Sequence, residues 1–543
     1  MRHPPFRKAS FAVIGALLAA AAPRGEAAEP PPAANGLSAE DWRVDLEFAR
    51  AQMPLRHANL FHTITPEQFG AAFDRLTADL DRLAEHEVIV RLAEIVAAVG
   101  DGHSRLTLPM DPGTGFFSGH TGTAAARVAT FRQLPLRLAR TGEGYVVTAT
   151  DPRHAGLLGS RVVDIDGRPI AEADSAVAPV VNRDNDHQLA DLLPWFMVVP
   201  EVLNARGVSP SMERSRWRFV DSSGRVHVRE LQPVARGVET QWQVLPAADW
   251  PGGPPEGASP KLWFADIERP SAVYVRVAEI ADQPETSFAA FAASLQAHLA
   301  VTSHRRLILD LRGNPGGDNS LNAPLVRSLV RTPWVSDPAA LFVLIDGGTF
   351  SAAMNLVEDL EHWLPAVFVG SGTGARPNSY GDARKLELPR SGLTIRLSSL
   401  YWQNHPNDNR AAIEPLIPAQ PTLDDLRALR DPVAVALASL DEVPATLTGT
   451  WRGTLFVEFR HVSVELIVPG SAAGQGSLSI RDLGVDAAEM HVVEITGGML
   501  RGTVQRRSTE LATAARAGGD RLTGWIDYRG QRYPMVLARQ ATD

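Results

Sequence analysis

The 543-residue chain contains no cysteine. That excludes disulfides, a cysteine nucleophile and thiolate metal ligation. It is compatible with an oxidising compartment, because no thiol is left to mispair. An excess of positive charge is also missing: 53 Lys and Arg stand against 62 Asp and Glu, a formal net charge of −9. This argues against nucleic acid as a partner. Beyond the N-terminal segment no stretch reaches about 18 uninterrupted apolar residues, so the processed chain should have no stable membrane span. There is no HExxH metalloprotease signature. Residues 313–319 look like a phosphate loop but lack its Lys-Ser/Thr pair. Gly370, Gly372 and Gly374 follow a strand with the wrong spacing for a dinucleotide fingerprint. No metal and no cofactor are therefore expected. What is present is an ordinary globular composition, 44% hydrophobic and 21% charged, with ample core material for several domains.

The N-terminus reads as an export signal over residues 1–27. Arg2, Arg7 and Lys8 precede a short apolar run over 11–22, and small-x-small sites follow. A Pro/Ala linker covers 28–36. The expected location is periplasmic or secreted.

Residues 37–109 carry a helical pattern. Ser38 can cap a first helix with Trp42, Leu46, Ala49 and Met53 on one face. Thr65-Pro66-Glu67-Gln68 is a helix start with a capping box and proline at the first position. A third helix over 88–99 runs into Asp101-Gly102-His103. Residues 110–260 form a mixed β region, loop-like to about 130. It includes a hairpin over 161–170, turning at Asp166-Gly167, of the layout seen in peptide-binding PDZ modules. Over 261–443 strands (273–277, 307–311, 341–345, 366–369, 393–400) alternate with helical patterns (287–300, 320–330, 351–363). That alternation implies a largely parallel sheet covered on both faces. Residues 446–543 alternate in period two between turn residues, which predicts a small all-β barrel or sandwich.

Two strand-to-loop junctions carry the chemistry. LILDLRGNPGG (307–317) and LFVLIDGGTFSAA (341–353) each begin as an apolar run suited to a strand buried on both faces, then break into a glycine-rich turn. The second presents Ser351 at the start of a helix, where backbone N–H groups converge. Most serines at such junctions are plain N-caps. Here Ala352 and Ala353 keep the backbone approachable. The Ala352 N–H, with that of Gly316 or Gly317, could form an oxyanion hole beside a nucleophilic hydroxyl. Arg312 and Asn314 are read chiefly as shaping the glycine loop.

Taken in order, these motifs resemble the tail-specific proteases. That family is also called the C-terminal processing peptidases, a serine peptidase group that includes the tricorn core protease. The matching pieces are Asp101-Gly102-His103, the PDZ-like hairpin, the two junctions, the Gly370–Gly374 and Pro377–Asp382 segments, and Ile413-Glu414-Pro415. The resemblance implies a multidomain α/β protein: helical cap, PDZ-like β module, crotonase-like α/β core and C-terminal β domain. It also implies Ser351 as nucleophile and a polypeptide as substrate. In the bacterial processing branch the base is a lysine in the Gly-rich segment after the nucleophile. Arg376 stands at the comparable position here, and a permanently protonated guanidinium cannot take a proton. Lys385 shows no sign of the burial that would lower its pKa. The tricorn-like branch uses an upstream histidine, which points to His103. That branch also implies an acid or amide after the nucleophile to orient the imidazole. Asp408 and Glu414 are the candidates, with Asp382 and Asp101 as further possibilities. The competing readings are a non-catalytic binder on the same scaffold, since the family has retinoid-binding relatives, and a C-terminal β domain that is itself the ligand-binding module.

Overall fold

The computed structural model describes residues 36–111, 127–246, 250–470, 475–506 and 509–540. The expected signal segment, the linker except Gly36, and most of the 110–130 loop lie outside these residues. Among the described residues no helix is long and apolar enough to cross a membrane.

The cap is built by the helices Ala39–Arg56, Pro66–Asp79 and Glu85–Ala97. Capping boxes start the first two: Ser38 with Asp41, and Thr65 with Gln68, where Pro66 fills the first turn. Trp42, Leu46, Ala49 and Met53 are buried on one face of the first helix, as the 3.6 period requires.

The middle region holds a sheet whose strands run Leu136–Thr141, Gly144–Thr150, Arg161–Ile165, Ser215–Val220 and Val226–Leu231 in spatial order. Asp166 and Gly167, both at positive φ (51° and 80°), turn the short hairpin between Arg161–Ile165 and Arg168–Pro169. Helices Ile170–Val177, Asp186–Phe196 and Pro200–Ala205 interrupt this region. The Asp186–Phe196 helix reaches the site described below.

The central sheet has six strands in the order Ile417–Pro418, Val367–Gly370, Leu341–Ile345, Leu307–Asp310, Ser271–Val277 and Leu262–Glu268. All neighbours are parallel except the last pair. Leu341–Ile345 is buried at every position, because helices Phe288–Val301, Asn322–Val330 and Ala352–Trp363 cover one face while Pro432–Ala438 packs on the other. The expected strand over 393–400 does not join this sheet. It belongs to Thr394–Trp402, which pairs with Ser379–Glu387 on one side and Arg105–Leu106 on the other. Its apolar face, with Ile395 and Leu397, packs into the same hydrophobic cluster as the cap. An apolar alternation marks a half-buried strand but does not say which sheet takes it.

The C-terminal strands, from Gly449–Val457 to Gln531–Arg539, close into an eight-stranded antiparallel barrel; the first strand pairs with the last. One apolar cluster that includes Trp451, Leu466, Leu500 and Leu537 fills it. Trp525 Nε1 and Arg532 donate to the Ser336 carbonyl and so fix the barrel against the central domain.

Candidate active site

The two glycine turns brace each other. Asp346 Oδ1 accepts from Gly348 N–H (3.0 Å) in its own turn and from Gly313 N–H (2.8 Å) in the other. The Phe350 N–H donates to the Asn314 carbonyl at 2.9 Å. Asn314, fully buried, donates to the Val277 carbonyl and accepts from Gly316 N–H. Arg312 is held between Asp310 and Asp431. The outcome is a rigid double junction at the carboxyl edge of the sheet, the usual ligand position in open α/β sheets.

Ser351 sits at its apex. Its backbone is at φ 53°, ψ −124°, a conformation that costs an L-residue about 1–3 kcal/mol and persists only where its surroundings enforce it. The helix Ala352–Trp363 begins at the next residue, and the serine makes no side-chain cap bond. A sharp strand-to-helix turn of this kind pushes a hydroxyl out of the backbone surface instead of folding it back as a cap.

His103 Nε2 lies 3.0 Å from Ser351 Oγ, across 248 residues of sequence. The Asp101-Gly102-His103 turn closes the cap's last helix and is tied down by its own acid. Asp101 Oδ1 accepts from the His103 and Ser104 amides (2.9 and 2.7 Å) and from Ser398 Oγ. Its other oxygen accepts from His57 Nε2 at 2.9 Å, while His57 Nδ1 accepts from Asn59 N–H. Burial opposes ionisation of Asp101, but the bonds from His57, Ser398 and Ser104 hold its pKa at about 2. The Phe350 ring packs on the His103 imidazole, with centroids 4.3 Å apart and planes tilted by 31°. Gly102 permits this approach, since a Cβ there would come within 2.7 Å of the Phe350 ring. Burial pushes the imidazole down to about 4, against the upward pull of the Asp101 charge. It is therefore neutral at pH 7. A serine hydroxyl donating to Nε2 puts the ring proton on Nδ1, which is buried without a hydrogen-bond partner among the described residues. The Tyr380 backbone favours that proton but does not reach hydrogen-bond geometry.

The expected orienting acids are placed elsewhere. Asp408 is buried and takes three contacts of 2.7–3.2 Å from Arg410, which also grips Glu361. Glu414 accepts from His187 Nε2 at 2.8 Å. Neither bonds His103. Asp382 lines the cavity but accepts from Trp402 Nε1. Arg376 donates through Nε to the Asp184 carbonyl and does not line the cavity, and Lys385 is exposed.

The amides expected to form the oxyanion hole divide likewise. Gly316 N–H is taken up by Asn314 Oδ1, so it is unavailable to a substrate. Ala352 N–H and Gly317 N–H have no acceptor among the described residues. Gly316 contributes by lacking a side chain: its φ is 100°, and a Cβ would stand 2.7 Å from the Ala352 nitrogen and 2.6 Å from Ser351 Cβ. Above these groups opens a cavity of about 940 Å³, which Gln188, Trp195, Arg384 and Arg396 also line. Phe350, Asp184 and Gln188 were not singled out from sequence. Asp184 accepts from Gly102 N–H (2.7 Å), and burial pushes its pKa up to about 7. The only sequence signal for Phe350 is its place directly before the serine.

The chain has the fold of mature CPAF. Its crystal structure overlays with a TM-score of 0.53 at 14% identity, over 75% of this chain and 97% of that one. The structure of mature CPAF complexed with lactacystin overlays at 0.52, also at 14% identity, over 74% and 97%. No protein-family model matches the chain, and no curated protein sequence does. The barrel and the helical cap join the α/β core in one multidomain α/β architecture.

Proposed function

We propose that this chain is a serine endopeptidase of the tail-specific protease group, acting through a Ser351–His103 pair. The observation that carries the reading is the 3.0 Å contact between His103 Nε2 and Ser351 Oγ, made by residues from separate domains above two unoccupied backbone amides. The shared fold with mature CPAF supports it.

In this mechanism Ser351 Oγ attacks a peptide carbonyl carbon while its proton passes to His103 Nε2. The oxyanion forms against the Ala352 and Gly317 amides, each worth roughly 2.7–4 kcal/mol of transition-state stabilisation. His103, now imidazolium, gives the proton to the leaving amine, and an acyl-enzyme remains for water to cleave. Phe350 and the bonded Asp101 turn hold the imidazole in place of an orienting acid. The reading carries export as well, supported by the basic and apolar N-terminal segment, and a polypeptide substrate entering the cavity beneath the cap.

A fluorophosphonate probe tests this directly. Labelling should map to Ser351, vanish in Ser351→Ala and slow steeply in His103→Ala. Lactacystin, bound in a CPAF structure, is a second probe of the same hydroxyl. A folded protein whose serine stays unlabelled by either would support the alternative, a non-catalytic binder on this scaffold. The unpartnered Nδ1 of His103 is the feature that favours that alternative.

A further inference from the structure

The cavity above Ser351 has one cationic wall. It is the short sheet of Arg105–Leu106, Thr394–Trp402 and Ser379–Glu387. Arg105 and Arg396 are direct cross-strand partners, and Lys385 stands opposite Arg396 on its other side. Like charges facing one another across a sheet are destabilising, so a row of three calls for a counter-charge. The protein supplies none to most of it. Among the described residues no carboxylate comes within ion-pair distance of Arg396, Arg384 or Lys385. Among the described residues Arg396 gives one bond, from Nη2 to the Ala383 carbonyl at 3.2 Å, while its Nε is buried without a partner there. The mutual repulsion registers on Arg105, which burial first and Arg396 second pull down to about 10 against the opposing charge of Asp101.

Arg105, Arg384 and Arg396 line the same cavity as His103 and Ser351. Its carboxylates are committed elsewhere or stand on other elements. Glu279 pairs with Lys261 at 2.6 Å, and Asp382 accepts from Trp402. Asp191 belongs to the helix Asp186–Phe196, where it feels the charge of Asp346.

We propose that this wall is an anion subsite: Arg396, with its cross-strand partner Arg105 and with Arg384 at the cavity rim, takes a carboxylate of the peptide substrate. The inference rests on the peptidase reading. Arg105 follows His103 by two residues and bonds its carbonyl, so the subsite lies on the side where the imidazole must deliver a proton to the leaving amine. The recognised carboxylate therefore belongs to the portion of the peptide that departs with that amine. It is either an acidic side chain or the C-terminal α-carboxylate; a guanidinium fork takes both in the same geometry.

The test uses the full chain carrying Ser351→Ala, so that affinity is read without turnover. Four fluorescent peptides of one length combine Asp or Asn with a free or amidated C-terminus, and binding is followed by anisotropy at low and high salt. Peptides bearing the recognised carboxylate should bind about 10-fold or more tightly than the neutral one. The advantage should shrink at high salt, collapse on adding Arg396→Gln, and return in part with Arg396→Lys. The peptide series that carries the advantage identifies the source. Arg384→Gln, at an exposed position, gives a smaller fall without risk to folding. Equal affinity for all four peptides, binding of none, or a preference that survives Arg396→Gln would each overturn the proposal. Failure of the peptidase reading shows separately, as an unlabelled Ser351 in the unmodified chain.

Discussion

Lowering the pH should leave the nucleophile active well below the point at which an ordinary histidine fails. The perturbed group is the His103 imidazole, which burial under Phe350 and the cap lowers to about 4 from its usual 6.5. Only the neutral ring can accept the Ser351 proton. At pH 5.5 an imidazole titrating near 4 is roughly 97% neutral, whereas one titrating at 6.5 is roughly 9% neutral, a difference of about tenfold. The second-order rate of fluorophosphonate labelling, measured from pH 3.5 to 8, should therefore stay flat down to about 5 and halve near 4. Asp184 complicates the upper range. It holds Gly102 N–H and titrates near 7, so a shallow second limb there should vanish in Asp184→Asn while the acid limb stays. The same shift acts on stability. The unfolded chain binds a proton at 6.5 and the folded one only near 4, so the native state is unaffected above 6.5. It then loses on the order of 3 kcal/mol as the pH falls from 6.5 through 4. An acid limb centred at 6–7 that persists in Asp184→Asn would refute the burial argument.

Other perturbations separate the roles. His103→Ala should slow labelling by roughly 10²–10⁴-fold with the unfolding midpoint little changed. Asp408→Asn should lower stability in a denaturant titration by about 1–3 kcal/mol, because a charge-assisted contact to Arg410 is lost, yet leave the labelling rate of folded protein within about twofold; a hundredfold loss of rate would restore Asp408 as the orienting acid. Gly316→Ala, whose Cβ would meet Ser351 and the Ala352 nitrogen, should abolish labelling while the far-ultraviolet spectrum persists. Arg410→Ala should cost about 3–5 kcal/mol of stability by stranding the buried Asp408 and Glu361 carboxylates.

The backbone of the site was legible in the sequence because it is written locally. Two short apolar runs ending in glycine turns read as buried strands emptying at a sheet edge, and the serine before 352–363 follows from the turn. His103 came from a resemblance, since a histidine in an exposed-looking turn has no local mark of function. The acids did not come. Asp408 and Glu414 are carboxylates near the right place in the chain, but whether each meets an imidazole or a cation depends on Arg410 and His187, which only the tertiary fold brings to them. Gly316 and Gly317 were indistinguishable by composition. They part because Asn314 folds back two residues to take one amide and leaves the other. The strand over 394–402 shows the same limit at larger scale: its period gave its buried face, not its sheet.

That no acid among the described residues bonds His103 Nδ1 does not leave the imidazole unguided. A third residue in such a site has two tasks, to fix the ring and to stabilise its positive charge when the proton arrives. Here the tasks are split. The ring is fixed by Phe350 against one face and by a turn whose amides are clamped to Asp101. The charge is met at a distance by that same carboxylate, which His57, Ser398 and the turn keep ionised despite burial. An acid acting through space stabilises imidazolium less than one in contact, but the Coulomb energy falls only as the inverse of the separation. The arrangement thus accepts a weaker base, near 4, in exchange for one that is neutral and ready down to about pH 5. In the proposed mechanism it also makes the Asp101–His57 pair, buried behind the site, the part of the cap on which the Ser351–His103 pair depends.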